Sequence, residues 1–332
     1  MAGAPRLRPL VLRAVALAGV LAVGLMAARS APPPLPETWE SPQGREHPLA
    51  GRLVRTADGA AVTPQALMAD AADARFVLLG ERHDNPDHHR LQAWVVGQMA
   101  AAGRRPAVAF EMLDADQAGA LAGYLSQPGG NAEGLGAAVG WTARGWPDWA
   151  IYKPIAEAAL AARLPLRPAD VAPATQRAVG REGWAALSPA RRRKLALDVP
   201  LGGDLERRLH DDLKAAHCDM LPDEALPAMA RVQRLRDATM ADSLIAAAKV
   251  HDGAVLIAGR GHVRADRGVP WYLRARLETP KVLTLGIFEV RAGAHDPMAY
   301  PPKSVTAPAF DYLWFTPRGE DTDPCAGLRA RG

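Results

Sequence analysis

The chain has 332 residues, of which 48% are hydrophobic and 23% charged, globular values that exclude wholesale disorder. Its formal charge of +4 matches Arg6, Arg8, Arg13 and Arg29, the only charged side chains in residues 1–30. The remainder is charge-balanced, which argues against a nucleic-acid binder that relies on phosphate attraction. Two cysteines, Cys218 and Cys325, are too few for a disulfide scaffold or a Cys-rich zinc protein, and their spacing leaves pairing open.

In chain order, three arginines precede an uncharged run over 14–28, and small residues follow at 28–31. A positive start, a short apolar run and small residues form the order of a secretory signal peptide over 1–30. Fifteen uncharged residues fall short of the ~20 that span a bilayer. The expectation is a periplasmic or secreted protein after cleavage, with an uncleaved inner-membrane anchor as the alternative. Residues 31–50 read as a Pro-rich linker. Beyond them, aliphatic runs at 75–79, 107–110, 164–168, 254–258 and 283–287 predict strands. Helices are expected near 87–102, 114–126, 154–163 and 225–250. The strands lack clean alternation, as parallel strands buried on both faces do. The fold class is therefore α/β: a mostly parallel sheet with helices on both faces. No strand is expected over about 172–250, which reads as an inserted helical subdomain in a domain spanning 51–292. Residues 293–332 read as a C-terminal extension.

Polar residues gather where the predicted strands end. The first strand runs into Gly80-Glu81-Arg82-His83, and Asn85-Pro86 then suits a helix N-cap with His88 and His89 in the first turn. The second runs into Glu111, the third toward Asp170, and the fourth into Gly259-Arg260-Gly261-His262. Ligands of open α/β sheets bind outside the carboxyl ends of the strands. Each group also has an ordinary structural role open to it: a cap, a buried carboxylate met by backbone N–H groups, or a turn. Gln233 and Asp237 are four apart on a predicted helix and face one way. Trp146-Pro147-Asp148-Trp149-Ala150-Ile151-Tyr152 is a dense aromatic stretch in an aromatic-poor chain, with Pro154 expected to open the next helix. Phosphate-loop, HExxH and GxSxG motifs are absent.

Together the segments LLGERHDNPDHHRLQ at 78–92, AFEML at 109–113, WAIYKPI at 149–155, QRLRDATMA at 233–241 and LIAGRGHVRADRGVP at 256–270 resemble the ChaN-like haem-binding family of the Tiki/TraB/erythromycin-esterase superfamily. The resemblance implies an exported bacterial protein of haem-iron uptake, non-enzymatic, working with transport components and compatible with a homodimer. Haem would be the ligand, its iron held by Tyr152, with Glu81, His83, His88, His89, Glu111, Trp149, Gln233, Asp237 and His262 around it. A Tyr phenolate is a known donor to ferric haem. Propionates would need cations, for which Arg82, Arg236 and Arg264 are candidates. The alternative reading is a metal-dependent hydrolase, in which Glu81, His83, Glu111 and His262 hold a divalent metal or activate water.

Overall fold

Aliphatic runs of the chain become eight strands of one sheet among the described residues. They are β1 (Leu53–Arg55), β2 (Ala60–Val62), β3 (Phe76–Glu81), β4 (Ala107–Asp114), β5 (Leu166–Asp170), β6 (Ala254–Gly259), β7 (Val282–Glu289) and β8 (Tyr312–Thr316). The computed structural model describes residues 1, 3, 31–304, 308–319 and 325, so the leader expected at 1–30 lies outside them apart from Met1 and Gly3. The strand order is β2-β1-β8-β7-β3-β6-β4-β5. From β8 to β5 every neighbouring pair is parallel, and only β1 runs antiparallel to its neighbours β8 and β2. The sheet is thus mostly parallel, in an α/β fold.

Period-two alternation sorts each central strand between two cores. Val77 and Leu79 of β3 join Val108, Phe110, Val255 and Ile257 on one side. Phe76 and Leu78 join Ala109, Leu256 and Ala258 on the other. Helices α1 (Pro64–Asp73), α2 (Pro86–Ala101), α3 (Ala118–Leu125), α4 (Ala132–Ala138) and α5 (Trp149–Ala161) contribute to the first core. Between β5 and β6 lie α6 (Pro173–Glu182), α7 (Pro189–Lys194), α8 (Gly203–Ala216) and α9 (Leu226–Ala247), and no strand. Of these, α9 packs on the sheet and supplies Leu235, Met240 and Leu244 to the second core. Helices α10 (Arg260–Val263) and α11 (Val269–Arg276) follow β6. Each fully buried Val, Leu or Ile contributes about 1.5–3 kcal/mol by leaving water, so the two aliphatic layers fix the sheet. Among the described residues, no helix is long and apolar enough to cross a membrane.

Three local expectations differ from the structure. The segment expected as a linker packs against α2: the Glu40 and Ser41 amides donate to the buried Asp87 carboxylate at 2.9 Å each, and Ser41 and Leu49 are buried. The C-terminal extension supplies β8, buried throughout and inserted between β1 and β7. Helix α5 opens at Trp149, not at Pro154; the Asp148 side chain accepts from Ala150 N and caps it, and Pro154 lies inside. Cys218 and Cys325 are disulfide-bonded, a link over 107 positions of sequence.

Candidate functional site

The carboxyl ends of β3, β4, β5 and β6 meet at one edge of the sheet, and their terminal side chains interlock. Glu81 ends β3 in register with Gly259 of β6. The loop after Glu81 turns into α2, where the Asn85 side chain accepts from the Asp87 and His88 amides and Pro86 takes the first helical position. This places His83 beside the strand it follows, and its Nδ1 donates to Glu81 Oε1 at 2.6 Å. The other nitrogen, Nε2, has Glu111 Oε1 at 3.9 Å, beyond hydrogen-bond reach. This nitrogen is not sealed from solvent, and the His83 side chain keeps 35% of its surface exposed. A side chain at Gly259 would put its Cβ 3.1 Å from this Nε2, so the glycine leaves the nitrogen room. Burial works against a charge on His83, but the Glu81 and Glu111 carboxylates outweigh it and raise its pKa.

Tyr152, in the first turns of α5, is fully buried. Its hydroxyl lies 3.3 Å from Glu81 Oε1 and 3.2 Å from the His83 carbonyl oxygen, and its ring lies tilted against His89 at 3.8 Å between centroids. Burial, then the charges of Glu81 and Glu111, push its pKa far above the usual phenol value. The oxygen expected to hold iron is therefore enclosed, and the neighbouring carboxylates keep its proton in place. His89 is also buried, with Nε2 on the His83 carbonyl and Nδ1 on Gln92 Oε1. His88 is buried too; Nδ1 accepts from the Arg82 amide and Nε2 meets Thr316 Oγ1, each at 2.9 Å. Burial, then the charges of Arg260, His89 and Arg82, lower its pKa well below the usual value. Of the four histidines expected around the ligand, His262 included, only His83 keeps an unpartnered nitrogen.

Glu111 organises the other half. Its Oε2 accepts from Gly259 N at 2.7 Å, and its Oε1 from Arg236 at 2.7 Å with His262 Nε2 at 3.2 Å. Arg236 also pairs with Asp170 at the end of β5, at 2.8 Å. His262 Nδ1 lies 2.6 Å from Asp237 Oδ1 and 3.0 Å from Gln233 Nε2. Gln233, Arg236 and Asp237 share one face of α9 through i, i+3 and i, i+4 spacing, which is why one helix serves the whole cluster. Burial opposes a charge on His262, yet Glu111 and Asp237 outweigh it and raise its pKa to about 9. Burial would raise Glu111, but His262, Arg236 and His83 hold it well below the usual carboxylate range.

Other expectations land elsewhere. Trp149 turns into the aromatic packing, its indole N–H on the Ala132 carbonyl and its ring 4.8 Å from Trp141. Trp146, three residues earlier, instead sits 5.0 Å from the His83 ring and is half-buried. The sequence flags the aromatic stretch but not which indole reaches the site. The three cations expected for propionates are all paired: Arg82 with Asp84 and Glu289, Arg236 as above, and Arg264 with Asp266 and Asp212. Among the described residues, no group of three or more His, Cys, Asp or Glu side chains is placed to hold a metal ion. The reason is visible at Glu111, whose oxygens already serve Arg236, His262 and the Gly259 amide.

The family model for haem-binding uptake proteins of the Tiki superfamily, ChaN, matches residues 67–273, more than half of the chain. The chain belongs to the ChaN family. Every site residue from Glu81 to His262 lies inside the matched segment, whereas β1, β2, β7 and β8 lie outside it. Among solved structures, that of ChaN of Campylobacter jejuni, described as cofacial haem binding, is similar in fold with a TM-score of 0.59. The identity is 18%, over 79% of this chain and 95% of that one. An erythromycin esterase mutant in its open conformation matches at TM-score 0.41 and 12% identity, over 87% of this chain and 99% of that one. No curated protein matches the chain.

Proposed function

We propose that the chain binds haem at the carboxyl edge of its sheet and that His83, rather than Tyr152, presents the iron-binding atom. The ChaN family membership supports haem as the ligand. The observation that carries the choice of atom is the unpartnered Nε2 of His83, backed through Nδ1 by Glu81 at 2.6 Å. A ligating histidine characteristically gives its other ring N–H to a carboxylate, which fixes its tautomer and raises its basicity. The donor set fits: Glu81 Oε2 is buried without a hydrogen-bond partner, leaving that carboxylate capacity for an adjusting neighbour. Bound haem would supply an iron centre that takes a histidine donor, and His83 would hold it through Nε2. Half-buried Trp146 beside His83 offers apolar surface to a flat macrocycle.

Titration of the purified full chain with ferric haem, followed by absorbance, tests this. Saturable binding lost in His83→Ala and retained in Tyr152→Phe is the expected result. Retention in His83→Ala with loss in Tyr152→Phe returns the iron to the phenol. In the same reading residues 1–30 direct export, the protein hands haem to uptake components, and α6–α8 form an inserted subdomain on α9. The Cys218–Cys325 disulfide supports export, because such bonds persist in oxidising compartments. N-terminal sequencing of the protein from its host checks cleavage; an intact Met1 in a membrane fraction would establish the anchor.

One observation favours a second reading. A carboxylate-held imidazole with a free Nε2 is also the geometry of a general base, here without need of a metal. Hydrolysis of an aryl ester by the chain, abolished in His83→Ala, would support it.

A further inference from the structure

The loop that carries His83 is fastened from behind by strands outside the segment shared with the family. Asn85 Nδ2 donates to Glu289 Oε1 at 2.7 Å and to the Pro317 carbonyl at 3.1 Å. Arg82 pairs with Glu289 at 2.9 Å. The third tie passes through His88. A backbone N–H can only donate, so the His88 Nδ1 that meets the Arg82 amide must be the unprotonated nitrogen. The ring proton then sits on Nε2 and points at Thr316 Oγ1, which accepts it. Arg82 is the residue between Glu81 and His83, and both His88 and Thr316 are wholly buried, so water cannot replace either partner.

We propose that Thr316 is a positioning residue of the site: by fixing the His88 tautomer it holds the Arg82 amide, and with it the Glu81–His83 pair. The C-terminal strand β8 would thereby set the geometry of a site to which it contributes no ligand-facing atom. Without the hydroxyl, the ring loses the acceptor that selects Nε2–H. The other tautomer would set an N–H against the Arg82 N–H, and the loop would have to move. The importance of this relay for ligand binding rests on the reading of His83 as the iron-facing residue.

The test uses the full chain with nitrogen-labelled histidine and backbone, without haem, and then a ferric-haem titration of the same variants. Thr316→Val keeps the shape and removes the oxygen; Thr316→Ser restores it. In Thr316→Val the His88 Nε2–H signature should be lost, and the Arg82 amide and His83 ring signals should shift. Haem affinity should fall about tenfold, the low end for an outer-shell partner, while Thr316→Ser stays within about twofold of the parent. Unshifted Arg82 and His83 signals in Thr316→Val, or an unchanged haem affinity, would overturn the proposal. If Thr316→Val does not fold, His88→Asn decides, since its side-chain oxygen can replace Nδ1 as acceptor. His83 signals held in His88→Asn but displaced in His88→Leu support the relay, and equal signals in both reject it. A parent chain that binds no haem sinks the haem reading alone, because the resonance shifts judge the relay without ligand.

Discussion

At Glu81 a buried carboxylate holds the imidazole of His83 while sharing the proton of Tyr152, so one side chain decides the state of two others. Glu81→Gln keeps the shape but replaces the charged acceptor. We expect haem affinity to fall about tenfold, measured by absorbance titration, because the carboxylate no longer orients the ring. His262 gives a pH prediction. Its folded pKa, about 9, lies above the usual 6.5, so its contribution is complete below about 6.5 and is lost as pH rises toward 9. Glu111 acts with the opposite sign: held below the usual 4.5, it stabilises above that value and the contribution fades as pH falls. Thermal melting from about pH 6 to about pH 10 should show a declining midpoint. The decline should be shallower in His262→Asn; an equal slope would remove His262 as the cause. Glu81, Glu111 and His262 were legible as a convergence because each ends an apolar run. That His88 and His89 face inward was not, since their partners Thr316 and Gln92 are chosen by packing.

At the level of elements, α2 shows how local sequence and distant strands divide the work. Asn85 and Pro86 mark its start in the sequence, and the structure begins it at that point. The Asn85 amide group also reaches Glu289 and Pro317, which no local pattern announces. Asn85→Ala should therefore exceed an ordinary cap loss of ~1 kcal/mol, reaching about 2 kcal/mol or more in urea denaturation. A loss of ~0.5 kcal/mol or less would show that the long-range bonds contribute little. Helix α5 ran the other way. Pro154 looked like a helix start, yet Asp148 caps the helix six residues before it is reached, which draws Tyr152 into a buried turn. A proline within a helix is costly, and the packing of Tyr152, Ile155 and Ala156 against the first core offsets it. The α9 face was legible as Gln233 and Asp237; the bridging role of Arg236 was not, because Glu111 and Asp170 are brought to it by separate strands.

For the whole molecule, described strands from both sides of the family-matched segment belong to one sheet. Strands β1 and β2 come from the N-terminal side and β8 from the C-terminal side, and β8 lies between β1 and β7. Trp314 of β8 packs edge-on against Trp94 of α2, at 5.7 Å between centroids, so Trp314→Ala should cost about 3–5 kcal/mol in global stability. A loss under ~1 kcal/mol would mean that β8 is dispensable to the core. The disulfide joins the end of α8 to the segment beyond β8. Cys218→Ser should lower stability by roughly 2–4 kcal/mol, chiefly by freeing the unfolded chain. Denaturation of the oxidised protein against the variant checks this, and coincident curves would show that the crosslink constrains nothing.

The sequence by itself determined the α/β class and the alternation of β3 to β6 with helices; the short α10 and α11 before β7 were not read from it. It also determined that Glu81, Glu111, Asp170 and His262 fall at one edge. These follow from short-range features: apolar runs long enough to be buried on both sides, and the polar residues that stop them. Only the tertiary structure decided which nitrogen stays free, which indole reaches His83, and that the stretch after β7 supplies a strand. Those depend on partners far apart in the chain, such as Thr316 for His88 and Glu289 for Asn85. Burial makes each such partner obligatory, since a polar atom shut away from water must find one, and no periodicity in the sequence names it.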